Sequence, residues 1–319
     1  MLVRFWGTRG SIPVALTSPV VQQKLVAALV QAANRGLDTE EKARAFVDRE
    51  LDFAVSHTFG GNTSCVEIDT GEGEYVLCDL GTGARVFGNT VLARHGPGRG
   101  QTYHVFMSHF HWDHISGFPF FMPAYLAGNR IRIHGCHAGL ADAFRRQHGA
   151  PSFPVDFAQL GASIEFVPLE PGRGYDIGGL HVTAKRQRHS GDSYAYRFER
   201  DGKTLVYSTD SEHKLEDTAA TREFVEFFRD ADLVIFDAMY SLADAVSIRE
   251  DWGHSSNVVG VELCQLARVK HLCLFHHEPV HDDDRIAAIL RETRRLEEIT
   301  RRDHPLRVSA AYDGMEIAL

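Results

Sequence analysis

The stretch FMSHFHWDHISGF, residues 106–118, places His109, His111, Asp113 and His114 within six residues. The run before it, 103–107, is apolar and strand-like, so the first imidazole arrives just past a strand end. On an extended chain His109 and His111 share one side, and Asp113 and His114 then turn elsewhere. Imidazole nitrogens and a carboxylate suit zinc and its divalent neighbours. Four such groups exceed what one tetrahedral ion with an open position takes from a single loop, so the pattern points to two adjacent ions. Zinc is the expected pair, and manganese or iron(II) fits the same ligand types.

Composition bounds the rest. The 319 residues are 44% apolar, enough for one large core. The opening MLVRFWGTRG has no long apolar run with a cleavage site, and no stretch approaches the roughly 20 apolar residues of a bilayer span, which predicts a cytoplasmic protein without a membrane partner. Cys65, Cys78, Cys136, Cys264 and Cys273 are odd in number and scattered, so they read as reduced core residues rather than disulfides or a zinc knuckle. A net charge of −9 argues against an extended nucleic-acid surface. It leaves room for a small anionic substrate, because metal cations and a few basic side chains neutralise one phosphate locally.

Outward from the motif, residues 2–6 form a strand followed by the turn GTRGSIP, 7–13. Segment 18–56 has helical periodicity through Val21, Leu25, Leu29 and Ala32, after Ser18 and Pro19 as cap and first-turn proline. A second helix is expected from Asp38 with Glu41 as its capping-box partner. Together they predict a helical-hairpin insertion within a single domain spanning 1–319: a surface decoration, a homodimer contact, or a lid. Segments 64–69 and 74–80 pair as strands, and Gly81 to Gly83 leads into a helix over 84–93. Past the motif, 193–199 and 203–208 pair across Asp201 and Gly202, a hairpin signal. Strands over 233–236 and 271–275 alternate with helices over 255–267 and 283–301. Two such halves predict a four-layer αβ/βα sandwich with its ligands on loops at one sheet edge.

HxHxDH is also the signature of the metallo-β-lactamase superfamily, which the chain resembles here. GTRGSIP followed by Gly60-Gly61-Asn62-Thr63-Ser64 resembles the opening of its phosphodiesterase-like branch, where these loops lie near the metals. The resemblance implies a lone histidine at a strand end, met by His189; an aspartate bridging both metals, met by Asp210; and a histidine after a late apolar strand, met by His276, with His277 as the alternative. One ion would then be held by His109, His111 and His189, the other by Asp113, His114 and His276, with Asp210 between them and Asp79 outside the ligand set.

In that branch, which includes tRNase Z and the phosphonate-pathway cyclic phosphodiesterase, a histidine of an HST-like motif pairs with an acidic residue at a strand end. His254, in Trp252-Gly253-His254-Ser255-Ser256, and Asp237 match it, with Ser256 where HST carries threonine. A carboxylate orients the imidazole and favours its protonated form, which can protonate a leaving alkoxide. The implied catalytic residues are His254, Asp237 and Asp113, the last also a ligand. Bacterial-type tRNase Z inserts an RNA-grasping arm between the positions of His189 and Asp210; only 20 residues separate them here. The resemblance thus implies a binuclear metal-dependent phosphodiesterase hydrolysing small cyclic phosphodiesters, cyclic nucleotides among them, by attack of a metal-bridging hydroxide. The alternatives are a lactonase or thioesterase, tRNase Z-like RNA processing, and a non-catalytic binding protein on the same fold. Lys185, Arg186 and Arg188, just before His189, are candidates for phosphate contact, and His213 is a candidate for the pocket.

Overall fold

The computed structural model describes residues 1–214, 216–240 and 253–319. Two seven-stranded sheets face each other. The first runs β14-β1-β2-β3-β4-β5-β6 and the second β13-β12-β11-β10-β9-β8-β7. In the first sheet β1 is Leu2–Gly7, β2 Cys65–Asp69, β3 Tyr75–Cys78, β4 Thr102–Phe106, β5 Arg130–Gly135, β6 Ser163–Pro168 and β14 Glu316–Ala318. In the second, β7 is Gly174–Ile177, β8 Leu180–Gln187, β9 Ser193–Arg200, β10 Lys203–Ser208, β11 Leu233–Asp237, β12 His271–Phe275 and β13 Arg307–Ala310. The last strand, β14, returns antiparallel to β1 and ties the ends of the chain together.

The facing sides of the sheets bury one apolar layer that includes Phe5, Val66, Phe106, Val182, Tyr196 and Phe275. The outer side of the first sheet packs Leu77, Val105 and Ile133 under Phe87 of α4 (Gly83–His95) and Phe144 of α6 (Leu140–Gln147). The outer side of the second is covered by Phe228 of α7 (Thr218–Phe228), Val261 of α8 (Asn257–Leu266) and Ile286 of α9 (Asp283–Thr300). These are the four layers the alternation predicts, and central strands buried on both faces read as continuous apolar runs, as β11 LVIFD does. The β9–β10 hairpin turns on Asp201 and Gly202, whose φ values of 51° and 70° are the two left-handed positions of a two-residue turn.

Segment 18–56 folds as helices α1 (Ser18–Ala32), α2 (Glu40–Arg49) and α3 (Phe53–Ser56). Two cap readings are corrected: Thr17 precedes α1, and α2 is capped by Thr39, whose hydroxyl accepts from the Lys42 amide, in place of Asp38 with Glu41. The periodic stripe of α1 faces outward: Leu25 and Leu29 stay exposed and no α1 residue is buried. A single cation anchors the helix: Lys24 Nζ lies 2.7 Å from Asp283 and donates to the Ala54 and His57 carbonyls. Among the described residues no helix is long and apolar enough to cross a membrane.

Candidate metal centre and acid–base pair

The parallel strands β3, β4, β10, β11 and β12 end on the same side, and the site is built from the residues immediately after them. Their common polarity is what gathers residues distant in sequence. His109 follows β4, Asp210 follows β10, Asp237 ends β11 and His276 follows β12. His111 precedes the short helix α5 (Trp112–Ile115), which carries Asp113 and His114. Asp210 and His276 both have positive φ, 40° and 60°, so the chain turns sharply where their side chains enter the site.

Two clusters result, sharing Asp210. In one, donor atoms of His109, His111, His189 and Asp210 all lie within 4.8 Å of one another; in the other, those of Asp113, His114, Asp210 and His276 do. His189 Nε2 faces His111 Nδ1 at 3.1 Å and Asp210 Oδ2 at 3.7 Å. His276 Nε2 is 3.0 Å from Asp113 Oδ2, 3.2 Å from Asp210 Oδ1 and 3.3 Å from His114 Nε2. His277 turns away, its Nε2 donating to the Ala311 carbonyl at 2.8 Å, so of the two adjacent histidines His276 is the one in the cluster.

The far ring nitrogens are fixed by groups outside the clusters. His114 Nδ1 donates to Asp79 Oδ2 at 2.7 Å, and His189 Nδ1 to the Gly253 carbonyl at 2.7 Å. Each bond fixes its ring with Nε2 toward the centre, the orientation a metal-binding histidine requires. The glycine-rich loops press on the same side chains. The Ser11 amide donates to Asp113 Oδ2 at 2.7 Å, and a Cβ on Gly10 would lie 2.5 Å from the His276 ring. Arg9, buried, bridges the loops by donating to the carbonyls of Gly60 and His281 at 2.9 and 2.7 Å.

The donor set fits divalent ions. His109 Nε2 is buried with no hydrogen-bond partner, a cost that ligation removes. Burial opposes ionisation of Asp113 and Asp210, yet neighbouring histidines, His114 for Asp113 and His276 for Asp210, hold both carboxyls below the usual range. Burial drives the His109 imidazole down toward its neutral, ligating form. Among the described residues no Lys or Arg forms an ion pair with Asp113 or Asp210, so a cation between them would supply the missing counter-charge.

Next to the second cluster stands His254. Its Nδ1 donates to Asp237 Oδ2 at 2.9 Å, and its ring stacks on His276 with centroids 5.2 Å apart. Asp237 is fully buried and also accepts from the Ser211 and Met239 amides. Burial alone would favour the neutral imidazole, but Asp237 outweighs it and pushes His254 up to about 9. Trp252, two residues before His254, lies outside the described residues.

Other candidates do not join the site. Lys185 pairs with Glu223 at 2.7 Å, Arg186 with Asp192, and Arg188 with Glu212 at 3.5 Å. His213 is packed between Phe224 and Phe236, and burial lowers it to about 4. Sequence reasoning did not single out Tyr207, which donates to Asp79 at 2.8 Å, or Asp313, which accepts from the Gly61 and Asn62 amides and so holds the second glycine loop. Asp313 lies just after β13, which was the available signal for it, whereas Tyr207 sits inside β10 and carried none.

Paired sheets with buried histidine–carboxylate clusters at the strand ends define a metal-dependent hydrolase of the metallo-β-lactamase fold. Residues 74–277 match the family model described as Beta-lactamase superfamily domain, and the chain belongs to that family. A ribonuclease Z of Thermoplasma acidophilum is 23% identical over 219 residues, 55% of this chain and 69% of that protein. The metallo-β-lactamase fold protein YhfI from Bacillus subtilis superposes with a TM-score of 0.62 at 17% identity, covering 99% of this chain and 98% of its own. A diphosphatase of the PhnP family superposes at 0.58 with 16% identity, covering 100% and 97%. These two likenesses establish the fold.

Proposed function

We propose that the protein is a binuclear metal-dependent phosphodiesterase that hydrolyses small cyclic phosphodiesters. The observation that carries this reading is the His254–Asp237 pair set against the second histidine–carboxylate cluster, because a held, protonated imidazole serves the departure of an alkoxide. His109, His111 and His189 would hold one ion, Asp113, His114 and His276 the other, and Asp210 would bridge them. When bound, the ions supply Lewis acidity that activates water and offsets charge on the phosphoryl oxygens.

The chain's own groups do the rest. Asp237 fixes the imidazole through Nδ1, which leaves the Nε2 proton of His254 for the departing oxygen. As the oxygen of water bonds to phosphorus, the ring P–O bond breaks and that proton passes to the alkoxide; one proton of the water stays on the phosphomonoester, and the other, released to solvent, is replaced on His254 Nε2. A linear phosphomonoester results. The small size of the substrate is supported by the interval between His189 and Asp210, which the β9–β10 hairpin fills, and by a net charge of −9. The ribonuclease Z and PhnP-family relatives agree with phosphorus as the centre attacked.

His254→Ala tests the assignment. The variant should retain both metals and lose diester cleavage by at least about 100-fold. Wild-type turnover by the metal-replete variant would remove His254 from the mechanism.

A further inference from the structure

The metal-binding stretch has two sides. His109, His111, Asp113 and His114 converge on the metal centre, while Phe110, Trp112 and Ile115, interleaved with them, line a cavity of about 520 Å³. Its other wall comes from α6, through Arg146 and Gln147, and from Phe120 and Phe153, whose rings meet edge to face at 5.7 Å. Trp112 is 80% exposed and Phe120 55% exposed. Single exposed aromatics need no explanation, but two that border one concave apolar space beside a reactive centre mark a binding site.

The polar groups narrow what it takes. Gln147 donates from Nε2 to the Ile115 carbonyl at 3.0 Å, which fixes its amide against the wall. Arg146 places a cation at the same wall. Aromatic faces suit a planar π-system. Trp112 is bonded directly to His111 and Asp113, about 3.8 Å from each along the Cα trace, so the cavity and the metal centre share one loop.

We propose that this cavity is the subsite for the planar aromatic part, a nucleobase or an aryl group, of the phosphodiester whose phosphorus is attacked at the metal centre. The proposal rests on the phosphodiesterase reading above. It assigns substrate selection to Trp112 and the α6 wall.

Three diesters with a common p-nitrophenolate leaving group separate the possibilities: methyl p-nitrophenyl phosphate, bis(p-nitrophenyl) phosphate and thymidine 5′-(p-nitrophenyl phosphate). With protein of measured metal content, the second or third should exceed the first in kcat/KM by at least about 10-fold, mainly through KM, the scale of stacking on an aromatic side chain. Trp112→Ala, which removes a wall, and Ser152→Trp, which fills the cavity from an exposed position at its rim, should each bring that excess toward parity. An excess confined to the thymidine ester identifies a nucleobase; one confined to the bis-aryl ester identifies a simple aryl group. No excess, or one unchanged in both metal-replete variants, overturns the subsite and leaves the phosphodiesterase reading standing. No turnover of the three esters by metal-replete wild type that still opens a cyclic nucleotide overturns the subsite alone, and no turnover of esters or cyclic nucleotide overturns both.

Discussion

Asp79 accepts from His114 Nδ1 at 2.7 Å with the same oxygen that receives the Tyr207 hydroxyl at 2.8 Å, so a residue outside both clusters sets the orientation of a histidine inside one. Its other oxygen accepts from the Ser108 amide at 2.8 Å, and the backbone at Asp79 has a φ of 60°. The carboxylate is therefore committed to the fold on one side and to the site on the other.

Asp79→Asn keeps the shape but replaces a charged acceptor with an amide, which weakens its hold on the His114 N–H. The expected result is about 10- to 100-fold weaker binding of one metal equivalent, with the other held as before. Metal titration of the purified variant checks this, and two equivalents bound with native affinity would show that Asp79 does not support ligation.

Gly10 lies so close to His276 that a methyl group there would stand 2.5 Å from the ring. Gly10→Ala should displace the imidazole and cost about 100-fold in turnover, the typical effect of misplacing a reacting group by roughly an ångström. Its melting temperature should change far less than its activity. Full activity in the variant would mean that the GTRGSIP loop yields without consequence.

His271 offers a pH test remote from the metal centre. Burial, with Arg307 and Arg294 adding repulsion, lowers it to about 4 from 6.5, and its Nε2 faces Ser309 Oγ at 2.8 Å. Both folded and unfolded chains hold it neutral above 6.5, where the contribution is intact. Between 6.5 and 4 the unfolded chain takes a proton that the folded chain refuses, so stability falls with pH by up to about 1.4 kcal/mol per unit. His271→Asn should flatten the unfolding free energy over that window relative to wild type, as read from denaturant curves. Parallel pH profiles would exclude the effect.

Much of the candidate site was legible because its residues are local or follow strands in a fixed order. HxHxDH packs four of them into six residues, and His189, Asp210 and Asp237 each end or follow a β-like run. The sequence favours His276 and leaves His277 open; the structure puts His276 in the cluster, at a φ of 60°, and gives His277 Nε2 to the Ala311 carbonyl. The stripe of α1 shows the limit of periodicity: spacing reports that Val21, Leu25 and Leu29 share a face but not what that face meets, and here they remain largely exposed. Thr39 displaced Asp38 as a cap because the two neighbouring residues are both competent and only backbone geometry selects between them. The cavity behind Trp112 left no pattern in the sequence, since its walls come from separate segments.

Product-resolved hydrolysis of a panel containing 2′,3′- and 3′,5′-cyclic nucleotides, a linear dinucleotide and a lactone, using protein of known metal content, decides between attack at phosphorus and attack at carbon. The expected result is ring opening of a cyclic nucleotide to its phosphomonoester, abolished by chelation and restored by metal, with little action on the lactone. Lactone hydrolysis without diester cleavage by the metal-replete protein would contradict it.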